Sequence, residues 1–303
     1  MRKTMAYKTI DAERKKLQVV FLLPLLISLI ILIIVPMASL FGLSFTNFKM
    51  VKPTFSFTGL ENYIDLLKDD DFINAAKNSV FMVFFSVLFQ MILGVSAAIV
   101  ISKTKRFVGV VRALIIMPMV IPPVIIGLMW RILLLPTYGG IDVLLDTIGW
   151  VNSPEWLANP MTAKFVLVLV AVWEWTPFVI IFVLAALEGL PVSPYEAARI
   201  DGANLLQEIY YITLPLIKNV VKFVLVFRVV EGLKIFPLVF ALTQGGPGRN
   251  TEELTYFIYS EGFIKFRTGY ASAAAMLMFA VLIILVALFY AKRNTKSKEG
   301  EKV

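Results

Sequence analysis

Pro191-Val192-Ser193-Pro194-Tyr195-Glu196-Ala197-Ala198-Arg199-Ile200-Asp201-Gly202-Ala203, running on to Ile212-Thr213-Leu214-Pro215, is a polar stretch set between two long apolar runs. Ser193 and Glu196 have the S-x-x-E spacing of a capping box, and Pro194 falls at the first helical position, where its missing N–H costs nothing. The spacing predicts a short helix from Ser193 to near Gly202, where Asp201-Gly202 supplies the left-handed turn that closes a helix. A second short helix follows, with Ala203, Leu206 and Tyr210 on one face, and Pro215 prevents its extension. Ala197, Ala198 and Gly202 keep part of this hairpin low, so that another protein can approach it closely.

The composition sets the solvent around that hairpin. Of 303 residues, 59% are hydrophobic and 17% charged. So much apolar surface predicts a lipid bilayer as the natural environment. Cysteine and histidine are both absent, which excludes disulfides, thiol nucleophiles, imidazole bases and the usual transition-metal ligands. No G-x-x-x-x-G-K-[ST] occurs, so the chain is not expected to cradle ATP phosphates itself.

Six apolar segments, near 19–43, 80–101, 113–134, 165–187, 220–242 and 271–291, are each long enough for a bilayer core that needs about twenty helical residues. The first follows Arg2, Lys3, Lys8, Arg14, Lys15 and Lys16; it is too long for a signal peptide and lacks a small-residue cleavage site, so it is read as a retained span. Counting residues at the span edges, the two tails and the loops around 102–112 and 188–219 hold eighteen Lys and Arg, and the alternate loops nine. The positive-inside rule then puts both termini and the hairpin in the cytoplasm. The net charge of +8 is thereby assigned to topology and anionic lipid, not to nucleic acid.

Pro118, Pro122 and Pro123 predict that the third span is kinked or broken, which a membrane tolerates where protein neighbours satisfy the freed carbonyls. Leu66, Leu67, Phe72 and Ile73 among acidic residues read as an amphipathic segment at the outer interface. Gly139 to Trp150 reads as a short interfacial helix, with Trp150 and Trp156 at headgroup depth.

A resemblance joins these features. Glu196, Ala197, Ala198, Gly202, Ile212, Leu214 and Pro215 match the pattern E-A-A, three residues, G, nine residues, I-x-L-P. The stretch resembles the EAA loop of the permease subunits of ATP-binding-cassette (ABC) importers, the binding-protein-dependent transport system inner-membrane components. Gly59-Leu60-Glu61-Asn62-Tyr63, followed by Phe72 and Asn78, is similar to the segment before the second span of carbohydrate permeases. Thr243-Gln244-Gly245-Gly246-Pro247 with Thr251 resembles an outer loop of sugar permeases. The resemblance runs from about residue 20 to residue 290. It implies an all-α membrane protein with the type I permease fold: a tail 1–18, a six-span domain 19–291 with its coupling loop at 189–217, and a tail 292–303. It further implies that Glu196, Ala197, Ala198, Arg199, Asp201, Gly202, Leu214 and Pro215 contact a cytoplasmic ATPase. Maltose-type subunits of the family carry extra N-terminal spans and a large outer insertion without counterpart here, so maltose specificity is not implied.

Charges inside the spans mark where a substrate could pass. The fourth span carries Glu174 between Trp173 and Trp175; the fifth carries Arg228, Glu231 and Lys234. A charge at mid-membrane costs about 2.5–3.5 kcal/mol on insertion scales, so these side chains should face protein or water. Two readings stay open. Glu231 lies three residues from both cations and can form a structural ion pair on one helix face. Alternatively the six residues line a sugar path, carboxylates accepting hydroxyl protons, cations donating, and indoles stacking on a pyranose face.

The resemblance therefore implies half of the membrane pore of a sugar importer, not an enzyme. Its partners would be a second permease chain, homologous but different, so that the two form a heterodimer, two ATPase subunits that bind ATP and magnesium, and an extracytoplasmic sugar-binding protein. An ABC permease for an anionic substrate, such as glycerol phosphate or a uronate oligosaccharide, is the nearer alternative. An ion-coupled secondary transporter is the more distant one, and no internal repeat of the kind such folds show is found.

Overall fold

The computed structural model describes residues 17–18, 20–51, 55–103, 108–150 and 154–300; for 108, 110–112 and 290–300 it describes the backbone alone. The basic residues expected to orient the N-terminal tail, with Lys105 and Arg106, lie outside the described residues. Among those described, secondary structure is helical save for one isolated bridge between Thr46 and Phe57. The chain divides into two compact units, residues 1–66 with 261–277 and residues 67–260 with 278–303.

The first unit begins with α1, Val20–Ser44, whose apolar side chains are all but unburied within the chain. It passes through a π-helical turn at Ile30–Ile34 just ahead of Pro36. A proline ring clashes with the carbonyl four residues back, and a wider turn moves that carbonyl aside without ending the helix. The Gly-Leu-x-Asn-Tyr phrase then ties α2, Glu61–Leu66, to the end of α1. The Asn62 amide donates to the carbonyls of Ser44 and Thr46 at 2.9 and 2.8 Å, and the Tyr63 hydroxyl to Ser44 Oγ at 2.7 Å. Gly269, in the first turn of α13 (Thr268–Gly300), lies so close to this turn that a Cβ would meet the Thr46 carbonyl oxygen at 2.0 Å.

The second unit is built on α3, Asp70–Ser102, capped by Asp69, whose side chain accepts from the N–H of Asp71 and Phe72. It packs along α7, Pro160–Glu188, with Gly94 so close to Val179 that any Cβ would collide. The third apolar segment is broken as its prolines predict. α4, Val108–Val120, and α5, Pro123–Leu133, meet at 96°. Next, α6 (Gly140–Thr147) covers most of the expected interfacial helix; Trp150 is exposed, whereas the Trp156 indole donates to buried Asp142 at 3.0 Å.

Past α7 come α8, Ser193–Ile200, and α9, Leu205–Gln207; a π turn at Glu208–Thr213 then leads into α10, Leu214–Gly232. Two expectations are corrected here. Pro215 does not stop the second helix, because the π turn precedes it as the one in α1 precedes Pro36. Nor is the segment 220–242 one helix: α10 ends at Gly232, and α11, Phe236–Leu242, starts anew with Pro237 in its first turn. Last in this unit before α13 is α12, Leu254–Tyr259.

Four described helices are long and apolar enough to cross a membrane (α1, α3, α7 and the first part of α13), and the bent α4–α5 pair is a fifth if counted as one span. The remaining apolar segment, 220–242, is the broken α10–α11. Two apolar clusters hold the unit together. One joins Met82, Ile126, Leu167, Val170, Leu238 and Leu242; the other joins Ala98, Phe178, Val179, Val183, Ile217 and Val224.

Candidate functional sites: a helical hairpin and an intramembrane cavity

The hairpin between α7 and α10 closes at Gly202, whose φ of +78° is the left-handed conformation expected there. Its N-terminal cap differs from expectation. The residue before α8 is Val192, in helical geometry, so Ser193 is already inside the helix and its hydroxyl caps nothing. The capping box forms instead at Asn204 and Gln207, each accepting the other's backbone N–H, at 3.0 and 2.8 Å.

Ile200 at 86% and Leu206 at 75% exposure flank this turn, with Tyr210 and Tyr211 beyond them. An exposed apolar tip of this kind marks an interaction surface. Of the residues assigned to coupling, Glu196, Ala197, Arg199, Asp201, Gly202 and Pro215 are exposed and Ala198 is half-buried; Leu214 packs into the second apolar cluster and does not belong to the tip. Glu208, which sequence reasoning passed over, is buried, accepts from Arg199 Nε at 3.3 Å and has Lys103 Nζ at 3.8 Å.

The second site is a cavity walled by α3, α5, α7, α10 and α11, with Ser86, Glu174, Trp175, Arg228, Glu231 and Lys234 among its lining residues. Its volume is about 70 Å³, room enough for a few waters. Arg228 and Glu174 are 2% and 3% exposed. The Arg228 guanidinium lies over the Trp175 ring, 4.2 Å from its centroid, and Nε donates to Gln90 Oε1 at 2.9 Å. Gln90 is itself fully buried, and its amide donates to the Ala171 carbonyl at 2.9 Å, which fixes the orientation of the acceptor facing Arg228. Arg228 Nη1 is buried without a hydrogen-bond partner. An unmet charged donor in a low-dielectric site is costly.

The ion-pair reading holds for half of the triad. Lys234 Nζ lies 2.6 Å from Glu231 Oε1, whereas Arg228 turns to Gln90 and Trp175. Trp173 is not brought to the cavity. Two residues from Trp175 it points elsewhere, and its ring meets Trp130 edge-on with centroids 5.9 Å apart. Sequence reasoning missed Gln90. Its signal was a strongly polar side chain in the middle of an otherwise apolar span.

A helical membrane chain with an apolar-tipped hairpin between two spans, and a charge-lined cavity walled by those same spans, has the make-up of a transport subunit worked by a partner. The family model described as binding-protein-dependent transport system inner membrane component matches residues 90–296, and the chain belongs to that family. It is 33% identical over 277 residues to the trehalose/maltose transport system permease protein MalF of Thermococcus litoralis, covering 91% of this chain and 93% of that one. A bacterial ABC transporter involved in the import of the acidic polysaccharide alginate has a chain that superposes with a TM-score of 0.84 at 25% identity, covering 94% of this chain and 97% of that one. A bacterial alginate ABC transporter in complex with an alginate pentasaccharide-bound periplasmic protein gives 0.81 at 26% identity, covering 92% and 94%. The chain is thus a multi-pass ABC importer permease. The chain spans nearly the whole length of that trehalose/maltose permease.

Proposed function

We propose that this permease forms half of the pore of a sugar importer, with the Arg228–Trp175 cavity as its sugar contact and the hairpin as its ATPase contact. The observation that carries the reading is the buried, unpartnered Nη1 of Arg228, held over an indole in a cavity between the two spans that flank the hairpin. A sugar hydroxyl or ring oxygen meets that donor, Glu174 accepts a hydroxyl proton, and Trp175 offers an apolar face to the ring.

A homologous second permease completes the pore, and two ATPase subunits bind ATP and magnesium. Glu196, Ala197, Ala198, Arg199, Asp201, Gly202 and the adjoining Pro215 meet the ATPase cleft, and an extracytoplasmic binding protein delivers the sugar. ATP and the loaded binding protein then bias inward- and outward-facing states differently. Both termini and the hairpin face the cytoplasm. The trehalose/maltose and alginate relatives support the substrate class.

The test is uptake into proteoliposomes holding the permease pair and ATPases, with binding protein added outside. Sugar should accumulate only with internal ATP; accumulation driven by an ion gradient without ATP would overturn the reading. Orientation is checked in the same vesicles, since no native cysteine interferes. A cysteine at Ala203 should react with impermeant maleimide only from the ATPase side, and one at Gln244 only from the other. An acidic saccharide is the second reading, because a carboxylate would satisfy Arg228 Nη1 more strongly than a hydroxyl and a related structure serves an acidic polysaccharide.

A further inference from the structure

Glu208 stands outside the residues that define the loop motif, yet it is the buried charged side chain of the hairpin. It is 6% exposed. Its two oxygens face cations from different parts of the fold: Arg199 of α8 at 3.3 Å, and Lys103, the C-terminal cap of α3, at 3.8 Å. Its carbonyl accepts from Thr213 Oγ1 at 3.2 Å, and that oxygen lies 3.0 Å from the Tyr195 hydroxyl. Ion pairs between solvated side chains contribute little, but a carboxylate that has lost its water depends on the partners it has.

We propose that Glu208 is a positioning residue that latches the hairpin to the end of α3, so that a displacement of the hairpin reaches α3 as well as α7 and α10. The inference rests on the coupling role given to the hairpin above. α3 is no sequence neighbour of the hairpin, and its polar ties to α7 and α10 run through Gln90, far along the helix from the hairpin; the latch to the buried Glu208 carboxylate is the polar tie at the hairpin end. The consequence reaches the cavity. Lys103 and Gln90 belong to the same α3 rod, about 20 Å apart along its axis, and Gln90 holds Arg228. The π turn that opens at Glu208 also gives the hairpin a defined start to its joint with α10.

The test is the amount of sugar moved per ATP hydrolysed by the complete complex in proteoliposomes. Lys103→Gln and Glu208→Gln should each lower that ratio at least threefold while ATP hydrolysis stays within twofold of wild type. Lys103→Arg, which keeps the charge, should restore it. A residue needed only for folding would lower the yield of complex, or both rates together, and leave the ratio alone. Should Glu208→Gln fail to assemble, Lys103→Gln decides, since it changes only a half-exposed side chain at the end of α3. A wild-type ratio in Lys103→Gln overturns the latch, and so does a loss confined to Arg199→Gln, which would make Glu208 a brace within the hairpin alone. Failure of the wild-type complex to couple ATP to uptake would instead overturn the importer reading.

Discussion

The hairpin and the cavity are built by opposite rules. The hairpin is a local object. Gly202, Asn204 and Gln207 shape its turn within a few residues of one another, and its tip is left apolar and exposed. The cavity is assembled from distant segments. Arg228 takes its bond from a glutamine 138 positions earlier, which in turn is fixed by a carbonyl 81 positions away. A surface that must be moved by a partner can be encoded in one short stretch. A polar site that must stay ordered inside a membrane has to recruit its partners from several spans, because no water is there to complete its bonds.

Changes at the hairpin should therefore abolish coupling through shape alone, and Gly202→Val is the sharpest case. Its φ of +78° costs a β-branched residue roughly 1–2 kcal/mol or more, while nothing lies within 4 Å of the added Cβ to obstruct folding. The complex should assemble, with uptake reduced to background and ATPase binding weakened. Wild-type uptake by an assembled Gly202→Val complex would remove the hairpin from the mechanism.

In the cavity the effects should be graded and should follow the observed bonds. Arg228→Gln and Gln90→Leu belong together: one removes the donor, the other the acceptor that aims it. Each should reduce uptake about tenfold or more, in line with the loss of a charge-assisted hydrogen bond of about 1.5–3 kcal/mol. Glu231→Gln should cost less, because it releases Lys234, which is itself exposed and can be solvated. An ion pair between Arg228 and Glu231 would require comparable losses, so equal effects at 228 and 231 would restore the structural reading. Smaller still is the difference between the two indoles. Trp175→Ala should weaken apparent sugar affinity several-fold, equivalent to about 1 kcal/mol of aromatic contact. Trp173→Ala, which disturbs the ring pair with Trp130 away from the cavity, should leave affinity unchanged.

How legible each region was follows from the same contrast. The turn at Gly202, the break at Pro122-Pro123 and the gathering of Glu174, Trp175 and Arg228 at one cavity could be read from residue type and spacing. A charge in an apolar run announces itself. The capping box went to the wrong pair because Ser193-x-x-Glu196 and Asn204-x-x-Gln207 both fit the pattern, and only the backbone geometry at Val192 separates them. Pro215 misled because a proline reports a constraint on the preceding turn, which a π turn can meet as well as a helix end. The joint between α10 and α11 was hidden inside a continuous apolar run, since hydropathy does not register a break at Gly232. Glu208 and Gln90 were passed over for a common reason. Their meaning lies in partners from distant segments, and a glutamate in a polar loop carries no mark of being buried.

The smallest effect expected lies away from both sites, in the loop that follows α11, and it concerns pH. Three side chains of α3 stitch this loop in place: the amides of Asn74 and Asn78 donate to carbonyls of Arg249 and Glu252, and Ser79 Oγ accepts from the Leu254 N–H. Behind them Glu253 is fully buried and caps α12, its carboxyl accepting from the backbone of Thr255 and Tyr256, both at 2.7 Å. Burial pushes that carboxyl up from 4.5 to about 7, with neighbouring Glu252 adding to the rise and the Thr255 and Tyr256 hydrogen bonds opposing it. The folded loop thus holds a proton that the opened loop releases. With the folded value above the unfolded one, the stabilisation is fully present below about pH 4.5, is lost as pH rises towards 7, and changes no further above it. Amide hydrogen exchange across Leu254–Tyr259, corrected for the intrinsic base-catalysed rate, should therefore show opening that grows easier between pH 5 and 7. The slope should not exceed tenfold per pH unit, because one proton is linked. Glu253→Gln keeps a carbonyl to cap the helix but cannot ionise, so its exchange should be flat over the same interval. If the variant and the wild type share one slope, the proton resides elsewhere, and Glu253 is a cap that stays ionised in spite of its burial.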